Sequence, residues 1–405
     1  MNGVDGIEHC PECAGEIPPG TKECPVCSSR GGLLSGPSRQ AATLFSLLLL
    51  GALFIFTGFA TQAFHRHEKE LADEWVRNAQ ADLAAGDPNQ ALDALRNALV
   101  YSKDNREYQL RLAQTLVAAN RDDEARPYLL SLWEHEPGNA DVNLELARLA
   151  ARRGDVAEAL RYYHGSIYGQ WDSNVVEQRR NTRLELIRYL TAHALKQQAL
   201  SEIIALAANL PPDAALQAMA GNLFLEQGSF DRALARFREA LRLDPKSVRA
   251  LLGAGHASFE AGNFSDAEGY LERAIHLAPR DEQAAAQLEI SRAVLSLDPY
   301  VHGLSAGARA QRALRDFALA QARLAGCIPP PGSAAAVRLA DLAQRSAAIK
   351  TKVNPGALQR DMDLFDSAGE LALDVETAVA QACGPGSTED QALALIAKYH
   401  HGAAQ

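Results

Sequence analysis

The chain has 405 residues, of which 47% are hydrophobic and 22% charged, the balance of a globular protein with room for two or three domains and not of a disordered chain. Its net charge of −10 argues against binding to phosphate backbones, because nucleic-acid affinity is carried by clustered lysine and arginine. Six cysteines split into four within the first 27 residues and two, Cys327 and Cys383, far toward the carboxyl end, so two separate roles are expected of them.

The amino-terminal segment holds Cys10-Pro-Glu-Cys13 and, after ten residues, Cys24-Pro-Val-Cys27. Each pair supplies two corners of a tetrahedron, and the short excursion between the pairs lets four thiolates close on one ion. Four protein ligands leave no open coordination position, so the spacing predicts a structural zinc held by Cys10, Cys13, Cys24 and Cys27 in a ribbon over residues 1–30. His9 reads as a solvated neighbour of the first ligand. The segment HCPECAGEIPPGTKECPVC resembles the short zinc-ribbon modules at the amino ends of many bacterial proteins, in both knuckles and in the Ile17-Pro18-Pro19-Gly20 turn. It departs from them at Ala14, where such modules carry glycine.

Serine and glycine then mark a flexible linker, placed at 31–40. From 41 to 63 no charged residue occurs, and a run of that length crosses the roughly 30 Å hydrocarbon core as one helix. Because the metal module precedes it, the run reads as an uncleaved transmembrane anchor and not as a signal peptide. Lys22, Arg30 and Arg39 on one side are matched by Arg66, Lys69 and Arg77 on the other, so charge asymmetry does not orient the span. Redox chemistry does: a four-thiolate zinc site is loaded and kept in a reducing cytosol. The amino end is therefore expected in the cytosol and the remainder outside the inner membrane. There, a disulfide between Cys327 and Cys383 and two buried thiols both fit the composition.

Beyond the span, alanine returns every 34 residues at Ala91, Ala125 and Ala159 and, after a slip of six, at Ala199, Ala233 and Ala267. Gly86, Asn120, Gly154, Gly228 and Gly262 stand in the turn before five of these alanines, and Pro137, Pro211, Pro245 and Pro279 follow four of them. Such a period belongs to helical solenoids and predicts an all-α fold over 72–299, closed by a capping helix at 282–298. The pattern resembles tetratricopeptide repeats. The likeness is strongest at 214–247 (Gly221, Phe224, Gly228, Ala233, Phe237, Ala240, Pro245) and at 248–281 (Gly255, Gly262, Ala267, Ala274, Pro279). It is also clear at 72–105, through Trp75, Gly86, Ala91 and Ala98. The unit at 180–213 is degenerate, with Ile187 at the small packing position and Ala194 at the turn. The slip falls near Tyr168–Ser173 and is expected to bulge or lengthen a helix.

The resemblance implies a superhelix whose first helices line an inner wall. The residue directly after each small packing position then forms one column: Gln80, Gln114, Arg148, Arg188, Asn222 and His256. All six make hydrogen bonds and none is acidic, which suits an extended peptide with its carbonyls and carboxylates. Polar residues on a solvated helix face are the competing explanation. The lysine and asparagine set by which chaperone-binding repeats hold a terminal carboxylate is missing.

Residues 300–405 read as further amphipathic helices at about 304–326, 334–353, 356–382 and 388–399, broken at prolines and glycines. Asp361, Asp363 and Asp366 point different ways along a helix and are expected to face water. No phosphate loop, nucleophile elbow or paired-histidine metal motif occurs in the sequence, so no enzyme and no small-molecule substrate are expected. The expected function is a membrane-anchored scaffold that binds a protein or peptide in the groove of its repeats. A transmembrane sensor whose ribbon contacts a cytosolic partner, or a non-catalytic accessory subunit in envelope assembly, are the alternatives.

Overall fold

The structure is a computed structural model that describes residues 8–29 and 39–402, and it divides into two compact units, Met1–Arg153 and Gly154–Gln405. Unit 1 opens on a minimal hairpin in which β1 (Glu8–His9) and β2 (Glu16–Ile17) pair antiparallel, Glu8 opposite Ile17 and His9 opposite Glu16. The short helix α1 (Pro25–Ser29) follows, with proline at its first position, where a helix has no use for the amide. The linker expected at 31–40 lies outside the described residues except for Arg39 and Gln40, which are already helical.

Helix α2 runs unbroken from Arg39 to Ala84, 46 residues, or about 69 Å at 1.5 Å per residue. It takes in both the apolar run 41–63 and the first repeat helix. No joint separates them, because neither glycine nor proline occurs between Phe59 and Ala84. Its apolar side chains from Leu44 to Phe64 are exposed, Phe54 at 80%, whereas Ala72 is fully buried. Among the described residues α2 is the one helix long and apolar enough to cross a membrane. Helices α3 (Pro88–Tyr101), α4 (Arg106–Ala118), α5 (Asp122–His135) and α6 (Ala140–Arg152) complete unit 1. Within it, the Tyr108 hydroxyl donates to Asp73, and burial with that carboxylate pushes the phenol up to about 12.

Unit 2 continues the helix-turn-helix pattern through α7 (Val156–Tyr168), α8 (Val175–Ala192), α9 (Lys196–Ala208), α10 (Ala214–Glu226), α11 (Phe230–Leu243), α12 (Val248–Glu260), α13 (Phe264–Leu277) and the cap α14 (Glu282–Leu297). The chain is thus an all-α, tetratricopeptide-like solenoid with a carboxyl-terminal helical region. All six periodic alanines are fully buried at 0% exposure, since only a methyl fits where two helices approach this closely. The turn ahead of each takes the left-handed conformation: Gly86 (φ 79°), Asn120 (58°), Gly154 (74°), Ala194 (57°), Gly228 (73°) and Gly262 (78°). Where the sequence departs from glycine the backbone does not. The slip of six is absorbed by the loop 169–174 and by α8, which has 18 residues against 13 in α10 and α12. Phe237 is wholly buried, its ring filling the space that side chains at Gly221 and Gly253 would occupy.

The carboxyl-terminal region comprises α15 (Ala306–Gly326), α16 (Ala334–Lys350), α17 (Pro355–Arg360), α18 (Met362–Cys383) and α19 (Thr388–Gly402). Helix 356–382, expected as one, is divided at Asp361, whose carboxylate caps α18 by accepting from the Leu364 amide. Asp361, Asp363 and Asp366 are all exposed. Helix α18 is the core element, burying Phe365, Ala368, Leu371, Ala372 and Val375 against α15, α16 and α17. Cys327 and Cys383 form a disulfide, with Cα atoms 5.9 Å apart, that ties the end of α15 to the end of α18. Helix α19 returns to the last repeat: the Tyr399 ring meets Phe264 edge-on at 5.7 Å, and its hydroxyl donates to the Glu260 carbonyl at 2.8 Å.

Candidate functional site

The loop of the β1–β2 hairpin holds Cys10 and Cys13, and the second Cys-x-x-Cys segment, at the start of α1, packs against it. The first knuckle turns through Ala14, whose amide donates to the Cys10 carbonyl at 2.8 Å, while the Cys10 amide donates to Gly15 at 2.9 Å. Ala14 has φ 53°, a left-handed conformation that glycine adopts freely and alanine only at a cost. That is the position where the sequence departs from ribbon modules. At Gly15 a Cβ would stand 3.4 Å from the Cys13 sulfur, so the backbone closes tightly over the cluster.

The four sulfurs lie within 4.8 Å of one another, Cys13 to Cys24 at 3.4 Å and Cys10 to Cys27 at 3.9 Å. Tetrahedral bonds of about 2.3 Å to sulfur require edges near 3.8 Å, so the residues present fit a metal ion. Their acidity points the same way. Amides of Cys27 and Val26 hold the Cys24 thiol down to about 7, while the crowding thiols of Cys13 and Cys10 push Cys27 up to about 12. Crowding among the four sulfurs opposes several thiolates at once, a repulsion that a cation among them would relieve.

The column of polar residues divides between the units. In unit 1, Gln80 on α2 and Gln114 on α4 line one cavity of about 500 Å³, with Leu83, Leu110 and Arg111. Arg148, on α6, approaches Glu145 at 3.0 Å. In unit 2, Asn222 on α10 and His256 on α12 line a second cavity of about 510 Å³ with Arg249 and Gln287. Arg188 is exposed on α8 and lines neither cavity. The His256 ring is engaged, its Nδ1 lying 2.8 Å from the Gln287 amide nitrogen. The column contains no acid, but the cavities do: Glu107 and Asp141 border the first and Asp281 the second. Glu107 stands two turns before Gln114 on α4, Asp141 on α6 and Asp281 at the N-cap of α14, so one position per repeat does not find them.

Unit 2 also carries charge that no local spacing announces. Glu202 is bridged by His164 at 2.9 Å and Arg183 at 3.1 Å, residues 38 and 19 positions away, and the His164 contact chiefly holds its carboxyl below the usual range. Asp316, at 2% exposure with Oδ1 unpartnered, is pushed up to about 8 by burial and by Asp298. A neutral carboxyl is the form that such a site accepts.

The family model described as tetratricopeptide repeat matches residues 82–134 and 224–289, so the chain carries these repeats in both units. Among curated proteins, human Protein O-mannosyl-transferase TMTC1 is 26% identical over 220 residues, covering 52% of this chain and 22% of that protein. Cellulose synthase operon protein C of Komagataeibacter xylinus is 26% identical over 235 residues, covering 53% of this chain and 18% of that protein. The chain thus spans about a fifth of the length of the curated relatives it matches. Among solved structures, YrrB, described as a TPR protein with an unusual peptide-binding site, is 17% identical and covers 48% of this chain and 97% of its own, with a TM-score of 0.36.

Proposed function

We propose that this carrier of tetratricopeptide repeats is a single-pass inner-membrane scaffold that holds a protein or peptide on the walls of its repeats and is non-catalytic. The observation that carries the binding reading is the pair of cavities, each opening on two residues of the column, Gln80 with Gln114 and Asn222 with His256. Concave repeat faces are where such solenoids bind, and amide side chains can pair an extended backbone without demanding one sequence.

The arrangement across the membrane rests on cysteine chemistry. On the amino side of α2 four thiols stay unpaired with disulfides although their sulfurs nearly touch, and beyond it Cys327 and Cys383 are joined. Thiol clusters persist in reducing compartments and structural disulfides in oxidising ones. This supports a cytosolic ribbon with a structural zinc on Cys10, Cys13, Cys24 and Cys27, and repeats outside the cytosol. Replacing Cys10 and Cys13 by serine releases the metal and leaves the helicity of 72–281 intact; loss of that helicity refutes the modular reading.

Two observations keep the alternatives in view. Gln80 stands on the same unbroken helix that carries the apolar run, which favours a sensor in which wall occupancy acts on the membrane helix directly. The likeness to the cellulose synthase operon protein favours an accessory subunit in envelope assembly. Photo-crosslinking in intact cells from probes at Gln114 and Asn222 decides among them. Capture of one discrete protein identifies the partner and its compartment. Silence there, with capture from probes near Trp171 or in 300–405, makes the repeats a spacer.

A further inference from the structure

Unit 2 contains a third cavity, of about 520 Å³, that the repeats do not build alone. Phe259 of the last repeat and Gln287 and Ile290 of the cap form one side, and Glu376, Asp390 and Leu395 of α18 and α19 the other. Its walls are mostly apolar, but its charges are unbalanced. Glu376 is 1% exposed; its Oε1 lies 3.5 Å from Arg323 Nε, and its Oε2 has no hydrogen-bond partner. Asp390 Oδ2 lies 3.6 Å from the same Nε. One guanidinium thus faces two carboxylates, and its Nη2 is already committed to the Gly384 carbonyl. Lys398 also borders the cavity, but its ammonium lies over the Tyr399 ring, 5.0 Å from the centroid.

A buried carboxylate oxygen left without a donor is costly, and the Glu376 side chain borders a space large enough for another side chain. Burial, then the nearby Asp390 charge, push Glu376 up to about 7, so a cation brought beside it would favour its ionised form. Gln287 borders both this cavity and the one lined by Asn222 and His256. A chain lying along the wall of unit 2 would therefore run on into it.

We propose that this cavity binds a basic group on an apolar stem, the lysine or arginine side chain of a peptide with apolar neighbours, its cation set against the Glu376 and Asp390 carboxylates and its stem against Phe259, Ile290 and Leu395. The inference rests on the peptide reading of the repeats and narrows it: the partner segment is basic and apolar at the end that reaches the cap. Fluorescence anisotropy on the full chain in nanodiscs tests it with a labelled, end-blocked peptide of sequence Leu-Leu-Lys-Leu-Leu, its norleucine counterpart, and n-hexylamine as competitor. The lysine peptide is expected to bind at least tenfold more tightly than the norleucine peptide. Glu376→Gln abolishes that preference. Ala394→Trp, which fills the cavity without touching its charges, abolishes binding, so the proposal stays testable if the Gln variant misfolds.

Equal affinity for the two peptides, binding of neither, or a preference that survives both variants overturns the proposal. Full displacement by hexylamine at the peptide's own affinity overturns the peptide as source, leaving a site for free apolar amines. Silence of the Asn222 probe together with a preserved lysine preference refutes the wall reading and not this one; the reverse pattern refutes this one alone.

Discussion

The Phe237 ring provides the sharpest test of how the repeats pack. An ideal Cβ on Gly253 would stand 2.3 Å from Phe237 Cε1 and Cζ, and one on Gly221 2.6 Å from Cε1, distances that real atoms do not tolerate. Gly253→Ala has two opposing effects. Alanine favours the interior of α12 by about 1 kcal/mol, and overpacking against a ring that is 0% exposed costs about 1–3 kcal/mol. The net expectation is a loss of about 1 kcal/mol. Phe237→Ala alone costs about 3–5 kcal/mol. In that background the new methyl meets a cavity, so Gly253→Ala is expected to stabilise by about 1 kcal/mol. The sign reverses, and the coupling is about 2 kcal/mol, well above the roughly 0.5 kcal/mol error of additivity. Denaturant titration of the full chain in detergent, read by hydrogen exchange of the α11 and α12 amides, isolates the local transition, because solenoids unfold by parts. Equal effects of Gly253→Ala in both backgrounds refute the packing argument.

Three further outcomes follow from other parts of the molecule. The Cys327–Cys383 bridge spans a separation of 56 residues, for which chain entropy predicts about 4 kcal/mol; replacing both cysteines by serine should lower the melting temperature of the carboxyl-terminal bundle, and reductant should leave the variant unaffected. Asp316, near 3.9 when unfolded and pushed up to about 8 when folded, keeps a proton that the unfolded chain releases, so its contribution is complete below pH ~4 and is lost as pH rises toward 8. Between pH 5 and 8 the bundle should lose on the order of 3 kcal/mol, with Glu376 adding in the same direction. Asp316→Asn should flatten most of that slope, and an unchanged slope in pH-dependent denaturation counts against the burial argument. Ala194 and Gly228 occupy equivalent turns at φ 57° and 73°, so Ala194→Gly should stabilise by about 0.5 kcal/mol and Gly228→Ala destabilise by about 1 kcal/mol; the same sign for both refutes the left-handed turn as the common requirement.

The repeats were legible because each unit meets the same local demands. A methyl is required where two helices cross, a left-handed residue where the chain reverses, and a helix stop before the next unit, and all three recur on a 34-residue period. The cysteine knuckles were legible for a like reason, their spacing being the geometry of a tetrahedral ion. At Ala194 and Asn120 the residue is not glycine and the turn forms regardless, since neighbouring helix pairs impose the backbone that the residue alone does not prefer.

By itself, then, the amino-acid sequence determined the helical class, the period, the thiol cluster and the apolar run, each of which depends on neighbours within a few residues or on a repeated spacing. Tertiary structure alone decided that the apolar run and the first repeat helix are one rod, that Cys327 meets Cys383, and that Arg323, Glu376 and Asp390 converge where α15, α18 and α19 meet. Those contacts join residues up to 67 positions apart, and only the packing of α18 and α19 against α15 brings them within reach.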